Sequence, residues 1–135
     1  SSQMFFVDSL TQSIQKYDYE LGTGSLSNPT VLIKFEEGDG VPDGLTIDQE
    51  GSLWVAMWEG SQILKINSSG HIAESIHLPV TKVTSMTFGG GDLQDLYITT
   101  ARYELSAREL SAQPSAGSLF RVRTEVPGFP ENRMK

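Results

Sequence analysis

The feature that most constrains this chain is a strand-pair plan written three times: "MFFVDS" then "SIQKYDYE", "GSLWVAMW" then "QILKINSSG", and "QDLYITTA" then "GSLFRVRT". Each copy joins an aromatic-bearing strand to a second strand with a Lys or Arg among apolar residues. Aligning Phe5, Trp54 and Tyr97 gives spacings of about 49 and 43 residues, the range expected for propeller blades of four antiparallel strands. Helical periodicity is nearly absent. The fold class expected is therefore all-β, a β-propeller of four-stranded antiparallel blades.

The second copy is the most legible. "GLTI" reads as strand A, "SLWVAM" as B, "QILKI" as C and "HIAESIHL" as D. Asp48-Gln49-Glu50-Gly51 puts Asp first and Gly last in a tight turn, and Asn67-Ser68-Ser69-Gly70 repeats the arrangement. Asp48 is thus expected to be structural. The third copy supplies "SMTF", "DLYIT" and "SLFRV", and the first lacks an opening strand. The organisation expected is one domain over 1–135: a partial blade at 1–40, blades at 41–80 and 81–126, and a tail at 127–135. About three blades cannot close a ring, because propellers need roughly four to eight, so the chain is expected to be part of a larger ring or to pair with a partner.

Composition narrows the partners. Seventeen acidic against ten basic residues give a formal charge of -7, with the basic residues scattered, so nucleic acid is not expected as a partner. The absence of cysteine excludes disulfide frameworks, thiolate metal sites and cysteine nucleophiles, and suits a cytoplasmic protein. No stretch approaches the roughly 18 apolar residues of a membrane span, so no membrane partner is expected either.

Strand polarity places the candidate site. In an antiparallel blade, the start of strand A and the B-to-C connection share one rim. Asp43, the "MWEGS" turn, "DSLT" near Asp8 and the insertion "ARYELSARELSAQPSAG" at 101–117 all fall there. The insertion is long enough for a short helix or a lid over the channel. Asp43 opens strand A in "PDGLTID", where the third copy has Thr84 in "VTSMTFG". Two readings of Asp43 stand at this point: turn punctuation, or a carboxylate serving as ligand for a hard cation or as general base.

Several segments in order, "VPDGLTIDQEGSLWVA", "ILKI", "LPVTKVTSMTFGG", "LYITTAR" and "AGSLFRV", resemble the C-terminal half of the regucalcin (senescence marker protein), gluconolactonase and luciferin-regenerating enzyme family. "FFVDSLTQSIQKYDYELGTGSLSN" resembles the segment just before it, so the likeness runs from about Met4 to Thr124. It implies a six-bladed ring with one divalent cation near the channel mouth, Ca2+ or Zn2+ and otherwise Mg2+ or Mn2+, and hydrolysis of sugar lactones such as gluconolactone. The family holds its metal with a Glu near the N-terminus, two Asn residues and the Asp of a Pro-Asp-Gly motif. Only the last has a counterpart here, Asp43, which the resemblance makes both metal ligand and general base. Since calcium takes six to eight oxygen ligands, the rest are expected from an N-terminal half that this chain does not contain. The alternatives are a non-catalytic calcium-binding or regulatory propeller, an inactive half-propeller, and a luciferin-regenerating type of hydrolase.

Other residues are weighed on the same rim. Trp58, at the B-to-C turn, either lines the substrate pocket or packs. Arg102, after strand B of the third copy, contacts substrate or is a solvated loop charge. Glu59 is a rim acid or an ordinary surface turn. His71 and His77, six apart and expected on one face of an outer strand, lack a third ligand. Trp54 is expected in the blade core, alternating with polar positions. No G-x-S-x-G occurs, and "FGGGD" reads as a tight turn.

Overall fold

The computed structural model describes residues 2–132. Ser1 and residues 133–135 lie outside the described residues, so the expected tail is followed only as far as residue 132. The strands run β1 (Ser2–Asp8), β2 (Ser13–Glu20), β3 (Ser25–Lys34), β4 (Val41–Ile47), β5 (Leu53–Trp58), β6 (Gln62–Ile66), β7 (Ile72–His77), β8 (Val83–Gly89), β9 (Asp95–Thr100) and β10 (Phe120–Arg123), with a helix α1 (Ala107–Ala112) between the last two. They form three antiparallel sheets: β1-β2-β3, β4-β5-β6-β7 and β8-β9-β10. The fold is all-β, apart from that single turn-and-a-half of helix.

The three sheets stack through two cores, and β5 shows why. Leu53, Val55 and Met57 point into a cluster with Ile14, Phe35, Leu64 and Ile66 against the first sheet. Trp54 and Ala56 point the other way, into a cluster with Val83, Met86, Phe88, Leu96 and Ile98 of the third. Alternate side chains of a strand face opposite sides, so a strand between two cores is apolar throughout. This corrects the expected polar alternation around Trp54: Leu53 to Met57 are all buried because the middle sheet is covered on both faces. Trp54 itself is core, with Phe88 edge-on at 6.0 Å between ring centroids. Phe5 packs toward the second sheet as Trp54 packs toward the third, so the aromatic register is shared.

Two boundaries differ from expectation. Strand A of the second copy begins at Val41, not Gly44, because Val41 and Pro42 still pair with Trp58 and Met57. The proline is tolerated because β4 is the edge strand of its sheet. The ten-residue β3, hidden in the polar run "SLSNPTVLIK", pairs with β2 across two register shifts; bulges spoil the period-2 pattern by which a strand is recognised.

Turn chemistry follows the sequence closely. The Gly51 amide donates to the Asp48 carbonyl at 3.0 Å and the Gly70 amide to the Asn67 carbonyl at 2.9 Å. "FGGGD" is the β8-β9 turn, with Gly90 at φ 82. Residues 127–128 stitch sheets together: the Gln49 amide donates to the Pro127 carbonyl at 2.9 Å, and the Gly128 amide to the Leu93 carbonyl at 2.9 Å. A Cβ on Gly128 would lie 2.2 Å from the Phe88 ring, so only glycine fits there. Among the described residues no helix is long and apolar enough to cross a membrane.

Candidate functional site

Asp43 sits on a β-bulge. The pairs Pro42 with Met57 and Leu45 with Val55 leave one extra residue in β4 across Asp43-Gly44, and such bulges re-aim a side chain. Gly44 is required by close approach: a Cβ there would stand 2.3 Å from Ser85 Oγ and 2.7 Å from Ser85 Cα. The glycine lets β4 touch β8, and Asp43 beside it is turned outward. The Ser9 hydroxyl donates to the Pro42 carbonyl at 2.7 Å, tying the β1-β2 turn to the same end.

The bulge recurs where the Asp does not. In β8, Val83 pairs with Thr100 and Ser85 with Thr99, so Thr84 is the extra residue. Its hydroxyl shares a hydrogen bond of 2.7 Å with that of Thr99. The equivalence of Thr84 and Asp43 is therefore structural, and the carboxylate is a local addition to a repeated feature. Asp43 is exposed, yet partial desolvation holds its carboxyl above the ordinary carboxylate range. Among the described residues no hydrogen bond or ion pair engages that carboxylate.

The rest of the rim assembles around Trp58. It lies opposite Val41 in β4 and forms an isolated bridge with Lys82, just ahead of β8. The Lys82 ammonium stands 4.5 Å from the Trp58 ring centroid and 2.6 Å from Glu59 Oε1. Glu59 is thus an ion-paired turn residue at φ 61. Arg102 is on this rim too, since the neighbouring Ala101 amide donates to the Lys82 carbonyl at 2.9 Å. Its stem packs on Gly117, where a Cβ would come within 2.7 Å of Arg102 Cγ.

The insertion does contain a short helix, α1, opened by a capping box between Ser106 and Glu109. It is pinned rather than free. Gln113 Oε1 accepts from both the amide (2.8 Å) and the hydroxyl (3.1 Å) of Thr81, and Leu105 and Leu110 pack on the core between the second and third sheets.

Other candidates separate from this rim. His77 ends the outermost strand β7, and His71 precedes it in the Asn67 turn, its amide donating to Asn67 Oδ1 at 3.0 Å. Only His77 lies in the strand, because the Asn67 turn extends through His71, and a register shift in the β6-β7 pairing falls between the two. A depression of about 430 Å³ lined by Trp54, Lys65, Glu74, Arg123, Thr124 and Glu125 lies at the other end of the strands. Its cations are already paired, Lys65 to Asp48 and Arg123 to Asp92. Lys82 is the rim residue that sequence reasoning missed. Its only signal was a lysine inside the apolar run "LPVTKVTSM".

The cation implied by resemblance can be tested against these donors. Asp43 is the right type, a hard oxygen donor with no internal partner, but among the described residues no three His, Asp or Glu side chains converge.

Residues 1–102 match the SMP-30/Gluconolactonase/LRE-like region. The chain belongs to that family. Regucalcin of Danio rerio is 42% identical over 128 residues, covering 93% of this chain and 43% of the relative. A Bacillus subtilis protein, YvrE, whose name assigns it provisionally to the sugar lactone lactonases, is 42% identical over 127 residues, 93% of this chain and 44% of its own length. Among solved structures, a luciferin-regenerating enzyme superposes with TM-score 0.83 at 38% identity, over 94% of this chain and 43% of that one. Regucalcin of Agrobacterium tumefaciens, described as a calcium-binding protein, superposes with TM-score 0.88 at 26% identity, with the same coverage. This SMP-30/gluconolactonase family chain spans less than half the length of the relatives it matches.

Proposed function

We propose that the chain supplies one wall and one metal ligand of a divalent-cation-dependent sugar lactonase. In this reading its three sheets are blades of a single six-bladed ring completed by residues outside the chain, in a cytoplasmic protein. The observation that carries the proposal is the carboxylate of Asp43, unpartnered among the described residues and held outward on a bulge that recurs in β8 without it.

Asp43 acts as ligand and general base. The cation, Ca2+ or Zn2+ and otherwise Mg2+ or Mn2+, would polarise the lactone carbonyl and acidify a water when bound. Asp43 would accept the proton of the attacking water. A carboxylate that also holds a cation is a weak base, and an acidified water asks less of it. Trp58 offers an indole face to the sugar ring, and Arg102 a guanidinium to its hydroxyls or to the carboxylate product. The water oxygen bonds to the lactone carbonyl carbon, the ring C–O bond breaks, and the proton accepted by Asp43 passes to the departing oxygen, giving the open hydroxy acid.

Hydrolysis of gluconolactone by the protein, measured with and without chelator and again after Asp43→Ala, tests this. Activity lost to chelator and to the substitution is the expected result. Turnover unaffected by either overturns the reading. Cation binding without turnover on any lactone would favour a calcium-binding role instead, as the description of the Agrobacterium relative suggests.

A further inference from the structure

Lys82 is 5% exposed, and lysine is almost never buried unless paired. Here it joins three segments at one point. Its ammonium is shared between the Glu59 carboxylate at 2.6 Å and the face of Trp58 at 4.5 Å. Its backbone bridges Trp58 on one side, and its carbonyl receives the Ala101 amide at 2.9 Å on the other. The preceding Thr81 is clamped by Gln113 at the far end of the insertion. Glu109 of α1 faces the same charge: hydrogen bonds within the Ser106 cap hold its carboxyl below the usual range, and Lys82 adds to that.

The position relative to Asp43 follows from register. Val41, Trp58 and Lys82 form a transverse row, Val41 pairing with Trp58 and Trp58 bridging Lys82. Asp43 lies two residues along β4 from that row, and Thr84 two residues along from Lys82. A displaced Trp58 would therefore displace the wall beside the bulge without touching the carboxylate.

We propose that Lys82 is a positioning residue: it fixes the indole of Trp58 and the start of the 101–117 insertion as one rigid substrate-facing wall. The inference rests on the lactonase reading for its kinetic consequence, but not for its structural one. Loss of the charge frees the ring and unpairs Glu59, which weakens substrate binding while leaving proton transfer at Asp43 intact.

Lys82→Met keeps most of the stem and removes the charge. With gluconolactone as substrate, KM rises about fivefold, the effect of one cation–π contact of about 1 kcal/mol, while kcat stays within about twofold. Lys82→Arg restores KM, since a guanidinium also stacks on indole and pairs with carboxylate. The second arm is tryptophan emission and its acrylamide quenching in a Lys82→Met and Trp58→Phe cycle. Lys82→Met increases quenching when Trp58 is present and changes nothing when it is Phe.

A fall in kcat at unchanged KM, or the same emission change in both backgrounds, overturns the proposal. If the unmodified protein turns over no lactone, the lactonase reading fails and the emission cycle alone decides the role of Lys82. Should Lys82→Met not fold, Glu59→Gln takes its place; it unpairs the ammonium at an exposed position, and the same increase in quenching is expected.

Discussion

Two aspartates five residues apart, one near the start of β4 and one just past its end, live in opposite surroundings. Asp48 is fully buried. Its Oδ1 accepts from the amides of Glu50 (3.0 Å) and Ser52 (2.9 Å), and its Oδ2 from the Trp54 indole (3.0 Å), with Lys65 Nζ at 3.4 Å. Lys65 in turn lies 5.1 Å from the centroid of the Trp54 ring. Asp43 is exposed, has no such partner among the described residues, and carries a carboxyl raised by desolvation. A carboxylate whose acceptor sites are all filled from within holds the turn together. One left uncompensated beside a close backbone contact is available to bind something else, at a small cost to stability.

The sharpest way to break that contrast is Asp48→Ala. Removing one partner of a buried pair strands Lys65 and the Trp54 N–H, and costs about 3–5 kcal/mol. Denaturant unfolding measures it. A loss below about 1 kcal/mol would place Asp48 in the ordinary range of exposed pairs and undo the distinction.

Asp43→Asn should do the reverse. Turnover of gluconolactone falls at least about 100-fold, the usual contribution of a positioned base, while stability is unchanged or rises. The pH dependence has a definite sign. The folded-state carboxyl titrates above its unfolded value, so its protonated form favours the fold, and that advantage is lost as pH rises from the ordinary carboxylate range through the raised value. Melting curves of Asp43→Asn should therefore fall less steeply over that window than those of the unmodified protein.

Gly44→Ala probes the close approach that turns Asp43 outward. Forcing a methyl against Ser85 costs about 1–3 kcal/mol of the kind seen on overpacking, and Ser85→Gly should recover part of it. Equal losses in both backgrounds would mean that the strand shifts elsewhere.

The smallest effect is expected at Arg123. Its hydrogen bonds, with a further one from the Gln94 amide, hold the exposed Asp92 carboxyl at about 2. A depressed carboxylate contributes stability above its unfolded value and loses it as pH falls toward 2. Arg123→Ala should return the Asp92 titration, followed by NMR, toward the ordinary range, with little change in melting at neutral pH.

Much of this was legible beforehand because it is local. The Asp48-Gly51 and Asn67-Gly70 turns rest on side chains bonding amides two to four residues away, and strand pairs announce themselves through period and spacing. The rim was legible as well, since strand polarity alone puts Asp43 with Trp58 and Arg102. The strand expected to carry both His71 and His77 starts one residue later than its pattern suggests, because the Asn67 turn takes His71.

What the amino-acid order determined by itself is the set of repeated strands, their tight turns, the register of Phe5, Trp54 and Tyr97, and the placement of a carboxylate at the opening of one strand. Only the tertiary structure decided that β5 is buried on both faces, that Gly44 exists to admit Ser85, and that Lys82 reaches Trp58 and Glu59. These depend on contacts between residues more than twenty positions apart. No local propensity encodes such a contact, because it forms only when separate sheets have been brought together by burying their apolar faces.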